Sequence, residues 1–183
     1  MHQPRTIDEL RSALERSGIP TARWGTGAAK PIESLLEEIR LGEAVLVEDA
    51  NGRLIREISV VCLEITRLGF TLKEQFQLFY RDRRKRQRNL DTSTGEKLKP
   101  GETPEAGIRR LIEGEFPVLL LQRPEDVQKT GVRYRESESE SYPGLITRYQ
   151  LHFFTVELAL ELPPLMVQEA DKLTAYHWVP RTR

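Results

Sequence analysis

The chain has 183 residues, a length that suits one domain or one domain with a helical extension. Hydrophobic residues make up 38% of the chain and charged residues 31%, as in globular proteins, and no apolar run approaches the roughly 20 residues that span a bilayer. Lysine plus arginine equals aspartate plus glutamate at 28 each, so the net charge excludes a bulk attraction to polyanions. We therefore expect a soluble protein without membrane contacts, in which any polyanion binding comes from local charge clusters.

The cysteine usage predicts a reducing compartment. Cys62 is the one cysteine of the chain and lies in the apolar run "ISVVCLEI", so we expect a buried core residue and no intramolecular disulfide. The N-terminal segment "MHQPRTIDEL" lacks the apolar region of a signal peptide and the composition of a transit peptide. The expected location is the cytoplasm, or an organelle in which this is the mature form.

Two amphipathic helices are predicted at the N-terminus. Thr6 and Glu9 form a T-x-x-E capping box, and an apolar helical face follows them. A second helix begins near Pro31 and carries another apolar stripe. The glycine-rich loop between the helices contains Trp24, which we expect to anchor the loop in a core. Residues 1–42 are therefore predicted to form a helical extension.

Strands dominate the rest of the chain. The segment "EAVLVEDANGRLIREISVVCLEI" predicts two strands and a tight turn at Asn51 and Gly52, because glycine readily adopts positive φ. Alternating apolar residues predict further strands in "KEQFQLFY", "VRYRESE", "TRYQLHFFTVEL" and "KLTAYHWVP", with a polar hairpin loop at residues 136–141. One long helix lies between these strands. This order predicts an α+β domain over residues 43–183.

The interior helix opens in a stretch that resembles a family motif. The sequence "LKPGETPEAGIRRLIEGEF" is similar to the Nudix box, whose pattern is G-x5-E-x7-R-E-U-x-E-E-x-G-U, with U a bulky aliphatic residue. With the pattern anchored on Glu102, further matches fall at Arg110, Ile112, Glu115 and Val118. The resemblance implies a Nudix-like α/β/α sandwich with a mixed β-sheet. It also implies the family's chemistry, the Mg²⁺- or Mn²⁺-dependent cleavage of nucleoside diphosphate derivatives.

The same alignment departs from the box where the metal chemistry lies. Leu111 and Gly114 occupy two of the three clustered acidic positions, while Glu96 and Pro117 replace the two glycines. Three carboxylates at positions 111, 114 and 115 would share one helical face and could hold a divalent cation. Glu115 is the one carboxylate left there and is the candidate metal ligand. We therefore expect no cofactor, with Mg²⁺ or Mn²⁺ required only if catalysis survives.

Other residues of the box are expected to be structural. Gly101 and Glu102 form the turn before the helix, Thr103 is its expected N-cap, and Ile112 belongs to a core-facing stripe. We expect Glu102 to pair with Arg110 and to hold the loop in shape. Gly114 lowers helix stability by roughly 1 kcal/mol relative to alanine, which the close approach of a ligand or of a neighbouring backbone would explain.

A strongly basic run, "RDRRKRQR", occupies residues 81–88 and contains six basic side chains beside one acid. We expect it at a strand end or a hairpin tip, with basic side chains on both strand faces. A solvated edge that blocks aggregation would explain the run. The alternative is a site for phosphate, nucleic acid or an acidic partner, with Arg83, Arg84, Lys85 and Arg86 as the candidate residues.

Three functional hypotheses follow. The leading one is a Nudix-fold protein without normal pyrophosphohydrolase activity, which binds a small phosphorylated ligand or a protein partner. The first alternative is a divergent metal-dependent Nudix hydrolase that recruits Glu102, Glu105, Glu115 and Glu169 as its acids. The second alternative is an accessory protein that binds nucleic acid or another polyanion through residues 81–88. The sequence leaves open whether the chain is an enzyme.

Overall fold

The computed structural model describes residues 3–87, 90–117, 126–159 and 165–181. Arg88, the last residue of the basic run, and Val118, a match to the box pattern, lie outside these ranges. The helices within them are α1 (Ile7–Arg16), α2 (Ile32–Arg40) and α3 (Pro104–Glu115). The strands are β1 (Val45–Glu48), β2 (Leu54–Arg67), β3 (Phe70–Phe79), β4 (Lys85–Arg86), β5 (Thr94–Lys97), β6 (Gln128–Glu138), β7 (Ile146–Glu157), β8 (Met166–Gln168) and β9 (Lys172–Pro180).

The described strands form one sheet with the hydrogen-bonded order β6-β7-β2-β3-β9-β8. Strands β1 and β5 also pair with β2, and β4 pairs with β3. Strands β1 and β2 are antiparallel and flank the predicted turn, where Gly52 has a φ of 74°. The fold is α+β with a mixed sheet, as the sequence predicts. Strand β6 continues to Glu138, so the polar loop expected at residues 136–141 begins later than predicted.

The chain divides into two compact units. The first unit comprises Met1–Val60, Lys97–Glu102 and Arg133–Leu151, and the second comprises Val61–Glu96, Thr103–Val132 and His152–Arg183. Helices α1 and α2 therefore share a unit with parts of β2, β6 and β7. The division at residue 42 into a helical extension and a Nudix-like domain stays a prediction. Among the described residues, no helix has the length and apolar character needed to cross a membrane.

Helix α3 of the second unit begins as the box predicts. Thr103 is its N-cap, and the Thr103 hydroxyl accepts a hydrogen bond from the Ala106 N–H at 3.2 Å. The predicted core-facing stripe is buried and consists of Ile108, Leu111 and Ile112. Because Leu111 is fully buried, the position of the first clustered acid of the box belongs to the hydrophobic core.

In the first unit, α1 and α2 bury their apolar faces in a core that includes Trp24. Helix α1 has the predicted cap, since the Thr6 hydroxyl accepts a hydrogen bond from the Glu9 N–H at 3.2 Å. The Trp24 indole N–H donates to the Pro143 carbonyl at 2.9 Å, and its ring centroid lies 5.1 Å from that of Tyr142. Trp24 thus anchors the interhelical loop, as expected.

A buried carboxylate joins several segments of the first unit. Glu38 on α2 is 6% exposed and forms an ion pair with Arg56 on β2. Its Oε1 atom also forms ion pairs with the ammonium groups of Lys30 at 2.9 Å and Lys97 at 3.1 Å. The same oxygen accepts a hydrogen bond from the Tyr142 hydroxyl at 3.1 Å. Burial acts to raise the pKa of Glu38, but the positive charges of Arg56, Lys97 and Lys30 outweigh it and lower the pKa to about 2. The carboxylate is therefore ionised inside the core.

Replacing Glu38 with glutamine should lower the free energy of unfolding by about 3–5 kcal/mol at neutral pH, because Arg56 would stay buried without its counter-charge. The folded pKa lies below the ordinary value of 4.5. The contribution of Glu38 is therefore present above pH 4.5 and is lost as the pH falls toward 2. Denaturant unfolding at a series of pH values measures both effects.

The matched control is Glu37→Gln, which changes an exposed glutamate on the same helix. Its free energy of unfolding should stay within about 0.5 kcal/mol of the wild type. Equal stability of the Glu38→Gln and Glu37→Gln variants at neutral pH would show that the buried cluster does not stabilise the unit.

Candidate functional site

The last turn of α3 holds the carboxylate predicted as a metal ligand. One oxygen of Glu115, Oε2, accepts hydrogen bonds from the hydroxyls of Thr94 on β5 at 3.0 Å and of Tyr176 on β9 at 3.2 Å. Burial raises the pKa of Glu115, and the charge of Glu169 raises it further, although the two hydrogen bonds and the charge of Lys172 act in the opposite direction. Glu115 therefore takes up a proton more readily than a free glutamate does.

Glu169 lies in the same part of the second unit, before strand β9. Its carboxylate forms an ion pair with the Lys172 ammonium at 2.6 Å. The charge of Glu169 is close enough to raise the pKa of Glu115. The structure thus brings together two of the four acids considered for catalysis. One of the two is already paired with a lysine.

The remaining acidic positions of the box supply no ligand. Leu111 is in the core, and Gly114 is exposed with open space, among the described residues, where a Cβ would lie. The neighbouring backbone considered as an explanation for Gly114 is therefore not found in this part of the chain.

Mg²⁺ and Mn²⁺ favour several oxygen ligands. One partly buried and readily protonated carboxylate, that of Glu115, does not fit such an ion. No group of three or more histidine, cysteine, aspartate or glutamate side chains in the described ranges is arranged as a metal site.

The box arginine and the box turn each have local partners. Arg110 forms an ion pair with Glu96, the residue that stands where the family pattern has its first glycine. The Glu102 carboxylate accepts a hydrogen bond from the Lys99 N–H at 2.9 Å and closes the turn in which Gly101 has a φ of 71°. The structural role expected for Gly101 is consistent with this turn. The pairing of Glu102 with Arg110 stays a prediction.

Glu105 lies at the opposite end of α3 from Glu115. It is exposed, and its carboxylate accepts a hydrogen bond from the Lys129 ammonium at 2.9 Å. This hydrogen bond lowers the pKa of Glu105. With a rise of about 1.5 Å per residue, the two glutamates are about 15 Å apart along the helix axis. The second unit therefore does not bring Glu105 to the carboxylates of Glu115 and Glu169.

The first unit contains a cleft beside the box turn, with a volume of about 550 Å³, which lies within the usual range for small-molecule sites. Arg148 on its wall pairs with Glu57 and Glu136 at 2.7 Å each, and the Gln150 side chain contacts Ser59 at 3.2 Å. Cationic, amide, hydroxyl and aromatic groups are all present. The lining residues are Gly42, Glu43, Ala44, Val45, Glu57, Ile58, Ser59, Leu98, Lys99, Pro100, Gly101, Glu102, Tyr134, Arg148 and Gln150.

The basic run forms a hairpin tip in the second unit, one of the two places predicted for it. Strand β3 ends at Phe79, and the chain returns through the short strand β4, while residues 81–87 are exposed. The expected alternation of basic side chains on two strand faces applies only to Lys85 and Arg86. Arg83 instead has a φ of 54° and lies in the turn, because the chain must reverse there.

Sequence reasoning missed the partners of Glu115 and the whole cluster around Glu38. Thr94 and Tyr176 gave no signal, since both residue types are common in strands. The cluster did leave a signal. Glu38 interrupts the apolar stripe of α2, and Arg56 interrupts a buried strand, so two opposite charges on apolar faces indicated an internal ion pair.

Comparison with solved structures found similar chains of known activity. This chain is similar to an Ap4A hydrolase from C. elegans, with 16% identity, 67% of this chain and 80% of that chain covered, and a TM-score of 0.35. It is also similar to RenU, a Nudix hydrolase from M. smegmatis, with 15% identity, 74% and 79% of the two chains covered, and a TM-score of 0.34. No family model matches the sequence, and the search of curated proteins found no match.

Glu115→Gln should keep or raise the free energy of unfolding at neutral pH, because an amide oxygen can still accept the bonds from Thr94 and Tyr176 while the buried charge is removed. A raised folded pKa means that ionisation of Glu115 opposes folding. This effect is absent below the ordinary value of 4.5 and grows as the pH rises through the folded pKa. Denaturant unfolding at acidic and neutral pH measures the difference.

Glu113→Gln, an exposed change on the same helix, is the control and should leave the pH dependence unaltered. A Glu115→Gln variant that is strongly destabilised at neutral pH would contradict this account, since it would mean that the charged form of Glu115 stabilises the fold.

Proposed function

We propose that the protein is a Nudix-fold protein that lacks normal pyrophosphohydrolase activity and binds a ligand or a partner. The observation that carries the proposal is the environment of Glu115. Metal-dependent cleavage of a diphosphate needs carboxylates that converge on a divalent cation. At the three box positions this helix offers a core leucine, a glycine and one glutamate whose Oε2 accepts bonds from two hydroxyls. We therefore assign Glu115 a structural role, in which it joins α3 to Thr94 and Tyr176.

One observation favours the alternative of a divergent Mg²⁺- or Mn²⁺-dependent hydrolase. Glu169 is near enough for its charge to act on Glu115, so two acids share one region. Against this, the Lys172 ammonium neutralises Glu169, and Glu105 is about 15 Å from Glu115 along the helix axis. The ligand-binding role is therefore the better supported of the two.

The cleft of the first unit is the ligand site that we propose. Lys99 and Arg148 can donate hydrogen bonds to a phosphate group, and Gln150 can bond polar ring atoms. The Tyr134 ring is 71% exposed and can pack on a planar ligand. These groups suit a small phosphorylated ligand, the class expected from the box.

The compartment proposed for this function is a reducing one, the cytoplasm or the interior of an organelle. Cys62 is free and buried, and burial raises the pKa of its thiol to about 11. A thiol in this state is protonated and unreactive at neutral pH.

The proposal predicts binding without turnover. A panel of nucleoside di- and triphosphates, dinucleoside polyphosphates and nucleotide sugars, with Mg²⁺ or Mn²⁺ present, should stay intact, while at least one class raises the melting temperature. A ligand at about 100 times its Kd stabilises a protein by about 2.7 kcal/mol. Chromatography of the incubated nucleotides and thermal unfolding of the same mixtures give the two readouts.

Arg148→Gln should remove the ligand-induced shift, whereas Arg23→Gln, which changes an exposed arginine of the same unit, should preserve it. Turnover of order 1 to 10³ s⁻¹ that is abolished by Glu115→Gln would establish the divergent hydrolase instead. A panel that produces no melting shift at all would reject the ligand-binding half of the proposal.

A further inference from the structure

The basic hairpin, defined here as residues 80–86, is a structured turn. The Phe79 N–H donates to the Arg84 carbonyl at 3.0 Å, and β4 pairs antiparallel with β3. At the base of the hairpin, the Tyr80 N–H donates to the Asp171 carbonyl at 2.9 Å. Arg83 adopts the left-handed backbone that closes the turn. The positions of the charged side chains are therefore set by backbone hydrogen bonds.

The hairpin concentrates positive charge on a chain whose net charge is zero. Residues 81–86 contain five basic side chains and one acid, and five minus one leaves a local charge of +4. The acid, Asp82, accepts the Arg84 N–H at 3.1 Å, and its carboxylate lies 3.6 Å from the Arg84 guanidinium. Asp82 thus shapes the turn and offsets the charge of one arginine.

Two of the cations rest on aromatic rings of β3. The Arg84 guanidinium lies 4.8 Å from the ring centroid of Phe79, and the Lys85 ammonium lies 4.0 Å from that of Phe76. Cation–π contacts of this kind hold the side chains in place before any ligand arrives, which lowers the entropy lost on binding. They also cover the ring faces on which nucleic-acid bases would otherwise stack.

Arg81 and Arg83 complete the surface. Both side chains are exposed, and within the described residues neither has a hydrogen-bond or ion-pair partner. A guanidinium donates two parallel N–H bonds to the oxygens of one phosphate. Arg81 was not among the candidate residues named from the sequence, and its place in the hairpin adds it to them.

We propose that the basic hairpin binds the phosphate backbone of nucleic acid without reading its bases. Phosphate contacts alone supply non-specific nucleic-acid binding. A stable protein interface instead needs an apolar centre, and the hairpin exposes one large apolar side chain, that of Tyr80, which is 43% exposed. This inference does not depend on the ligand-binding function proposed above.

The test is the binding of a fluorescently labelled single-stranded oligonucleotide of about 20 residues, followed by anisotropy between about 50 and 200 mM salt. The hairpin variant is Arg81→Gln/Arg83→Asn, in which asparagine tolerates the left-handed backbone. Each lost phosphate contact should reduce the slope of log K against log salt by about 0.7, so the slope should fall by about 1.4 and the affinity by about tenfold or more at low salt. Oligonucleotides of different base composition should bind equally.

The control variant Arg16→Gln/Arg23→Gln removes two exposed arginines of the first unit and changes the net charge equally. It should bind as the wild type does. If the hairpin variant melts early, the single change Arg81→Gln leaves the turn backbone intact and should show half of the slope change. The proposal is overturned if the wild type does not bind at about 50 mM salt, or if both double variants lose affinity equally. It is also overturned if polyglutamate competes as well as nucleic acid at equal charge, which would identify an acidic protein as the partner.

Discussion

The first unit depends on the buried carboxylate of Glu38. A carboxylate removed from water is strongly unfavourable unless cations and hydrogen-bond donors surround it. Helix α2 supplies the acid, β2 supplies Arg56, and the strand that leads into the box turn supplies Lys97. Apolar contacts between these elements would tolerate small shifts, whereas a carboxylate that must contact three cations and the Tyr142 hydroxyl does not. Helix α2 is thereby fixed to strand β2 of its unit.

Glu38 and Glu115 have opposite electrostatic surroundings. Glu38 is held by cations, so its pKa is lowered and its charge stabilises the fold. Burial raises the pKa of Glu115 and the charge of Glu169 raises it further, although the bonds from two hydroxyls act in the opposite direction, so its charge opposes folding. The positive charges of Arg56 and Lys97 beside Glu38 therefore stabilise the folded first unit. Helix α3 has a capped first turn and a buried apolar stripe, with a buried leucine at position 111 and an exposed glycine at position 114.

Local signals predicted most of the fold. The capping residues Thr6 and Thr103, the turn at Gly52 and the stripe containing Ile112 each depend on neighbours in sequence, and all appear as expected. The candidate site was less predictable, because the state of Glu115 depends on residues contributed by other strands. No pattern in sequence linked Thr94 to a residue of α3 or assigned Lys172 to Glu169.

We propose that Glu115 is not a metal ligand, and electron paramagnetic resonance of Mn²⁺ shows whether this glutamate binds the ion. The free-ion signal is recorded at neutral pH as the protein is titrated, with the wild type, Glu115→Gln and the exposed control Glu113→Gln compared. The account predicts that all three proteins leave the same amount of Mn²⁺ free, because one carboxylate held by two hydroxyls cannot form a site for this ion. Saturable binding by the wild type and the control that is lost in Glu115→Gln would contradict it.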